Sequence, residues 1–207
     1  TENIMQYGVI AETKDGLQSK MSNIVDDEIS YLQFLKDYQP QQAIKRLQEL
    51  KEFNPIGIVN KISLIYRELI EKYSSSSNWD MMINTLGELI KVKPDESSYY
   101  IELANAYKTL LRYSDGIRVL NDAKIRFSDN LAVYQNLIRL QYLNKDYVGT
   151  IAQCKEALTK FADNEKIMQS LAEAYLSNNQ KEEALQVYRD LSRSEEHTSE
   201  LQSRQVI

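Results

Sequence analysis

Four stretches of this chain recur in register at a spacing of 34 residues, and no other feature limits its fold so tightly. YYIELANAY (99–107), VYQNLIRLQ (133–141) and IMQSLAEAY (167–175) align without a gap, and IYRELIEKY (65–73) fits one step earlier. Consecutive units therefore start near Ser63, Ser97, Leu131 and Glu165. A fixed period of this size marks an array of identical supersecondary units, each unable to bury its apolar face alone. The fourth position of each unit is Tyr66, Tyr100, Tyr134 and Met168. The seventh is Leu69, Leu103, Leu137 and Leu171, and the eleventh is Tyr73, Tyr107, Gln141 and Tyr175. Offsets of three and four residues place these groups on one stripe of a helix.

A second stripe follows in every unit. Its first column is Met82, Gly116, Thr150 and Ala184, mostly small. The next columns are Leu86, Leu120, Cys154 and Tyr188, then Leu89, Ala123, Ala157 and Leu191. Small side chains let two helices approach closely while larger ones fill the remaining space. Between the stripes lie SSSSN (74–78), YSD (113–115), NKD (144–146) and SNNQ (177–180), all turn-forming. Asn179 and Glu182 have capping-box spacing. Pro94-Asp95, Ser128-Asp129-Asn130 and Asp163-Asn164 suit the helix N-termini between units. With only 6 Gly and 3 Pro in 207 residues and 43% hydrophobic content, long helices are favoured and a core is affordable.

The period and its columns resemble the tetratricopeptide repeat family over about 130 residues. That family prefers an aromatic at position four, Leu at seven, a small residue at eight and Tyr at eleven. Further on it prefers Ala at twenty, an aromatic at twenty-four, Ala at twenty-seven and Pro at thirty-two. Ala104, Ala172, Ala184, Tyr188, Ala123, Ala157 and Pro94 agree. Ile70, Ile138, Met82, Gln141, Ser128 and Ala162 depart from the pattern. The resemblance implies an all-α fold, a right-handed superhelical stack of antiparallel helix-turn-helix repeats.

Outside the four units the reading is coarser. Residues 1–23 form an undefined N-terminal segment. Residues 24–55 read as a divergent helical hairpin, with Ala43, Leu47, Leu50 and Pro55 at second-helix offsets and Pro40 in a first turn. A helix from near Leu17 to Asp37 would align Leu17, Met21, Ile24, Tyr31 and Leu35. The four repeats occupy 56–192, with a long first helix in the first of them. Residues 193–207 are expected to be a non-natural tail, because RSEEHTSELQS (193–203) resembles the in-frame translation of a common sequencing-library adapter. Setting that tail aside removes the single histidine, His197, together with two basic and three acidic residues, and moves the net charge from -5 to -4.

Composition excludes several function classes. No basic footprint for nucleic acid is present, and no apolar run is long enough to span a membrane. One cysteine, Cys154, precludes an internal disulfide; in a core column it reads as a buried, inert thiol. Of the 14 tyrosines, Tyr66, Tyr73, Tyr100, Tyr107, Tyr134, Tyr175 and Tyr188 fall in core columns and are expected to pack. Trp79, after the serine turn, is expected to pack between hairpins, with a half-exposed binding role as the alternative. The acidic cluster Asp26, Asp27 and Glu28 reads as helix solvation. No phosphate loop, Cys/His metal set or nucleophile–base pair occurs, so no catalytic residue, metal or cofactor is expected.

The expected function is a protein–protein interaction scaffold. In the family that the chain resembles, positions two, five, nine and twelve line a concave groove, spaced to share one helix face. Peptide-contacting candidates are Arg67, Ile101, Asn105, Lys108, Gln135, Asn136, Arg139, Tyr142, Lys166, Gln169 and Glu173. Such a surface suits an extended peptide or a partner helix. One subgroup of the family clamps C-terminal carboxylates. Asn105, Asn136 and Lys166 match its pattern, but Ile101 and Ser170 stand where it needs cations, so that clamp is not expected. Two alternatives carry the same array: an accessory region of a larger enzyme such as a glycosyltransferase, or a subunit of a bacterial cell-envelope or secretion assembly. The partner is a protein or peptide, with weak self-association through an uncapped C-terminal end also open. Cytoplasmic and bacterial extracytoplasmic locations both fit.

Overall fold

A computed structural model describes residues 40–49 and 55–204. Among these residues there are nine helices and no strand: α1 (Pro40–Glu49), α2 (Pro55–Ser75), α3 (Trp79–Val92), α4 (Ser97–Thr109), α5 (Tyr113–Arg126), α6 (Leu131–Leu143), α7 (Tyr147–Lys160), α8 (Glu165–Ser177) and α9 (Lys181–Arg204). The fold is an all-α helical repeat solenoid. The chain divides into two compact units, residues 1–68 and 69–207. In the first, Ile44, Ile58, Ile62, Ile65 and Tyr66 are buried. Pro40 and Pro55 each open a helix, where a missing N–H costs nothing. The expected helix near Leu17 to Asp37 and the Asp26–Glu28 cluster lie outside the described residues.

In the second unit each helix packs on its chain neighbours, and α4 also touches α6, as α6 touches α8. First helices thus form one layer and second helices another. The core follows the columns. Leu103, Leu137 and Leu171 are buried, as are Leu86, Leu120 and Cys154, and Leu89, Ala123, Ala157 and Leu191. Two clusters show how the interior is shared. One joins Tyr100, Ala104, Leu120 and Ala123 to Val133, Leu137 and Leu140 of the following helix. The other joins Tyr134, Ile138, Cys154 and Ala157 to Ile167, Leu171 and Tyr175. In both clusters a hairpin completes its core with the first helix of the next, which is why the apolar columns must stay in phase.

Gly116 marks a close approach of α5 to α4 and α6. A Cβ built there would sit 2.7 Å from the Leu140 Cδ1 and 3.2 Å from the Ala104 carbonyl oxygen. The other small-column residues, Thr150 and Ala184, are likewise buried.

The turns within the hairpins share one backbone device. Ser77, Leu111, Lys145 and Asn179, 34 residues apart, all have positive φ, between 55° and 62°. The amide after each donates to the carbonyl five residues back: Asn78 to Tyr73, Arg112 to Tyr107, Asp146 to Gln141 and Gln180 to Tyr175. The left-handed residue itself donates three back, to Ser74, Lys108, Tyr142 and Leu176. This is the paired bonding of a Schellman helix end, which satisfies carbonyls the helix would otherwise orphan. Asn179 therefore ends α8 rather than capping α9. The expected Asn179–Glu182 box is replaced by Gln180, whose amide donates to the Glu183 carboxylate at 2.8 Å. Side-chain caps do start other helices: Asn78 accepts from the Met81 amide, Asp146 from Gly149, Asn130 from Ala132 and Val133, and Asn164 from Ile167.

Successive units are joined by repeated polar contacts. Arg126 pairs with Asp95 at 3.2 Å and Lys160 with Asp129 at 3.5 Å. Within single units, the Tyr100 ring meets Phe127 edge-on at 5.6 Å, and Tyr134 meets Phe161 at 5.5 Å. Lys124 reaches across to Glu156 at 2.9 Å and to Gln153 at 3.1 Å. Burial pushes the Glu156 carboxyl upward, but hydrogen bonds from Lys124, Gln153 and Tyr134 outweigh it and hold the pKa below the ordinary value. Tyr188 departs from its expected core role. It is 39% exposed and Leu185 51% exposed, whereas the same column is closed at Leu86, Leu120 and Cys154.

Candidate interaction surface

Helices whose apolar faces are committed to the interior present their opposite faces outward. On α4, α6 and α8 that outward stripe is where the expected contact residues stand. Arg139, Lys166, Gln169 and Glu173 are exposed, while Ile101, Asn105, Lys108, Gln135, Asn136 and Tyr142 are half-buried. Arg67 is exposed on α2, in the first compact unit.

The structure brings some of these residues together. The Lys108 ammonium donates to the Asn105 side-chain oxygen at 2.7 Å. Partial burial lowers the Lys108 pKa from the ordinary lysine range, and the Arg139 guanidinium on the neighbouring α6 lowers it further. The two cations stand on touching helices, and among the described residues neither has a carboxylate partner. Asn105 also lines a cleft of about 440 Å³ between α3 and α4, walled by Trp79, Met82 and Ile101 on its apolar side and by Ser98, Glu102 and Thr109 on its polar side. The cleft holds a half-buried indole and a thioether beside an amide and a carboxylate, a mixture that suits a side chain with an apolar body.

Other candidates are spent on the fold. The Asn136 amide donates to the Ala132 carbonyl of its own helix at 2.8 Å. The Tyr142 hydroxyl lies 3.0 Å from that of Ser177, tying α6 to α8, and its ring packs 5.5 Å from Tyr147. The side chains of Gln135, Lys166, Gln169 and Glu173 make no hydrogen bond or ion pair among the described residues, although the Lys166 carbonyl accepts from the Ser170 hydroxyl at 2.9 Å. Reading by columns missed Met82 as a wall of the cleft, while Trp79, half-buried here, has a half-exposed binding role as its alternative reading. Met82 occupies a core column and Trp79 lies outside the stripe positions; only the α3–α4 packing sets them beside Ile101. Among the described residues no group of three or more His, Cys, Asp or Glu gathers to hold a metal, and no helix is long and apolar enough to cross a membrane.

Comparison with known proteins agrees with this architecture. A sequence model described as tetratricopeptide repeat matches residues 141–203, from the end of α6 through α7, α8 and most of α9. Among solved structures, one of the MamA protein aligns with a TM-score of 0.58 at 14% identity, covering 84% of this chain and 96% of that one. A second MamA structure aligns at 0.55 and 15% identity, covering 76% and 90%. MamA from Desulfovibrio magneticus RS-1 aligns at 0.51 and 12% identity, covering 81% and 97%. No curated protein matches the sequence. At such identities the structural likeness speaks for the fold alone. With the matched repeats and the in-phase columns, it supports a tetratricopeptide-repeat architecture, with the family's sequence model matched over residues 141–203.

Proposed function

We propose that the chain is a protein–protein interaction scaffold, without chemistry of its own, that takes an extended peptide or a partner helix along the outward stripe of α4, α6 and α8. One observation carries this reading. The three helices bury one face completely and touch each other in a continuous layer, yet leave amides and cations at Asn105, Gln135, Arg139, Lys166 and Gln169 open on the other. Amide side chains offer a donor and an acceptor to a peptide backbone, and a layer of parallel helices repeats that offer along its length.

Peptides selected from a displayed random library on the intact chain test the proposal. Arg139→Ala and Lys166→Ala should each weaken capture of the selected peptides while leaving the far-ultraviolet circular dichroism unchanged. Undiminished capture by both variants refutes this surface.

A second contact is favoured by the open column at Leu185 and Tyr188. Burying this apolar pair against another copy would close the last core layer as Leu86, Leu120 and Cys154 are closed. Sedimentation velocity should then show concentration-dependent association that Tyr188→Arg abolishes. A monomer at all concentrations removes this reading.

A further inference from the structure

We infer that the surface selects acidic peptides, with one Asp or Glu side chain held between Lys108 and Arg139 and a neighbouring apolar side chain seated in the cleft beside Trp79, Met82 and Ile101. The inference rests on the interaction-scaffold reading and names the chemistry of its partner.

Three observations converge on it. First, Lys108 and Arg139 stand on α4 and α6, which touch, and Lys108 is partly desolvated, with its pKa lowered further by the Arg139 guanidinium. Each feature is unfavourable in the free protein, and both are relieved by one carboxylate placed between them. Second, the Lys108 ammonium is held by Asn105 at 2.7 Å rather than by an acid. It keeps two further donors for a ligand, and a guanidinium beside it can accept a carboxylate in bidentate fashion. Third, Asn105 belongs to both features: it orients Lys108 and lines the apolar cleft. A side chain entering the cleft and a carboxylate reaching the cations are therefore near neighbours on one peptide. These cations lie at positions twelve and nine of their units, not at those of the family's known carboxylate clamp, where Ile101 and Ser170 stand.

The test uses the intact chain and random peptides displayed with their C-termini fused, so that only side-chain carboxylates are offered. Selection should return peptides with Asp or Glu at one recurring position beside an apolar residue. A synthetic copy of the strongest, with that acid replaced by its amide, should bind at least ~10-fold more weakly by fluorescence anisotropy, the loss of about one charge-assisted bond. The Lys108→Gln, Arg139→Gln double variant should select without acidic preference, and Arg139→Glu should turn the preference towards Lys and Arg. Peptides selected without an acid, or an amide copy that binds as well as the acid, overturn the inference while leaving the scaffold reading intact. Failure to select any peptide overturns both. The acid-to-amide comparison is made on the unmodified protein, so a misfolded variant cannot obscure it.

Discussion

Leu111 sits at the left-handed position of its turn with φ 58° and is 71% exposed. Three other residues hold the same place at Ser77, Lys145 and Asn179, and Asn tolerates this conformation best of the four. For a leucine the left-handed region costs about 1–2 kcal/mol, since its Cβ crowds the following carbonyl. Glycine removes that cost but adds about 0.4–1 kcal/mol of backbone freedom to the unfolded chain. Little packing is lost, because the side chain lies mostly in water. Leu111→Gly should therefore stabilise the protein by about 0.5–1 kcal/mol. With a urea slope of about 2 kcal/mol/M, the midpoint should rise by roughly 0.2–0.5 M, read by circular dichroism. The neighbouring residue is the control. Leu110 ends α4 at φ -85°, so Leu110→Gly gains no relief, loses apolar contact and should lower the midpoint. If both variants lower the midpoint alike, the left-handed turn is not what limits stability there, and the reasoning fails.

Three further outcomes follow from the packing. Gly116→Val should destabilise by about 2–3 kcal/mol, because its added methyls meet the Ala104 backbone and Leu140; Gly116→Ala should be far milder, its gain of about 1 kcal/mol in helix propensity offsetting the shift of one leucine methyl. Urea melts of the pair would show the difference. Leu137, wholly buried between two units, should lose about 3 kcal/mol on replacement by Ala, measured in the same way. Burial pushes the Cys154 thiol up to about 12, so at pH 8 the native protein should resist a disulfide thiol reagent that labels it promptly in urea; fast native labelling would contradict its placement in the core.

The surface was only partly legible in the sequence. Column arithmetic placed Asn105, Lys108 and Arg139 on outward faces, because helical periodicity alone fixes which side chains share a stripe. It could not distinguish Lys108 and Arg139, which stand on touching helices, from Asn136, whose amide is spent on its own backbone. Phe127 and Phe161 were passed over for a similar reason. Each ends a second helix, and its role is set by the Tyr100 or Tyr134 ring that it meets edge-on.

The repeat, its helices and its buried columns were determined by the chain itself, since a period of 34 residues with apolar groups at helical offsets leaves few ways to hide them. The left-handed turns at Ser77, Leu111, Lys145 and Asn179 carried no common residue signature, because two antiparallel helices in contact impose that geometry on whatever residue occupies the place. Tertiary packing also decided that Tyr188 stays open, although its column is apolar. A side chain in a repeat array is buried by the neighbouring unit's surface, and no sequence position carries that surface within itself.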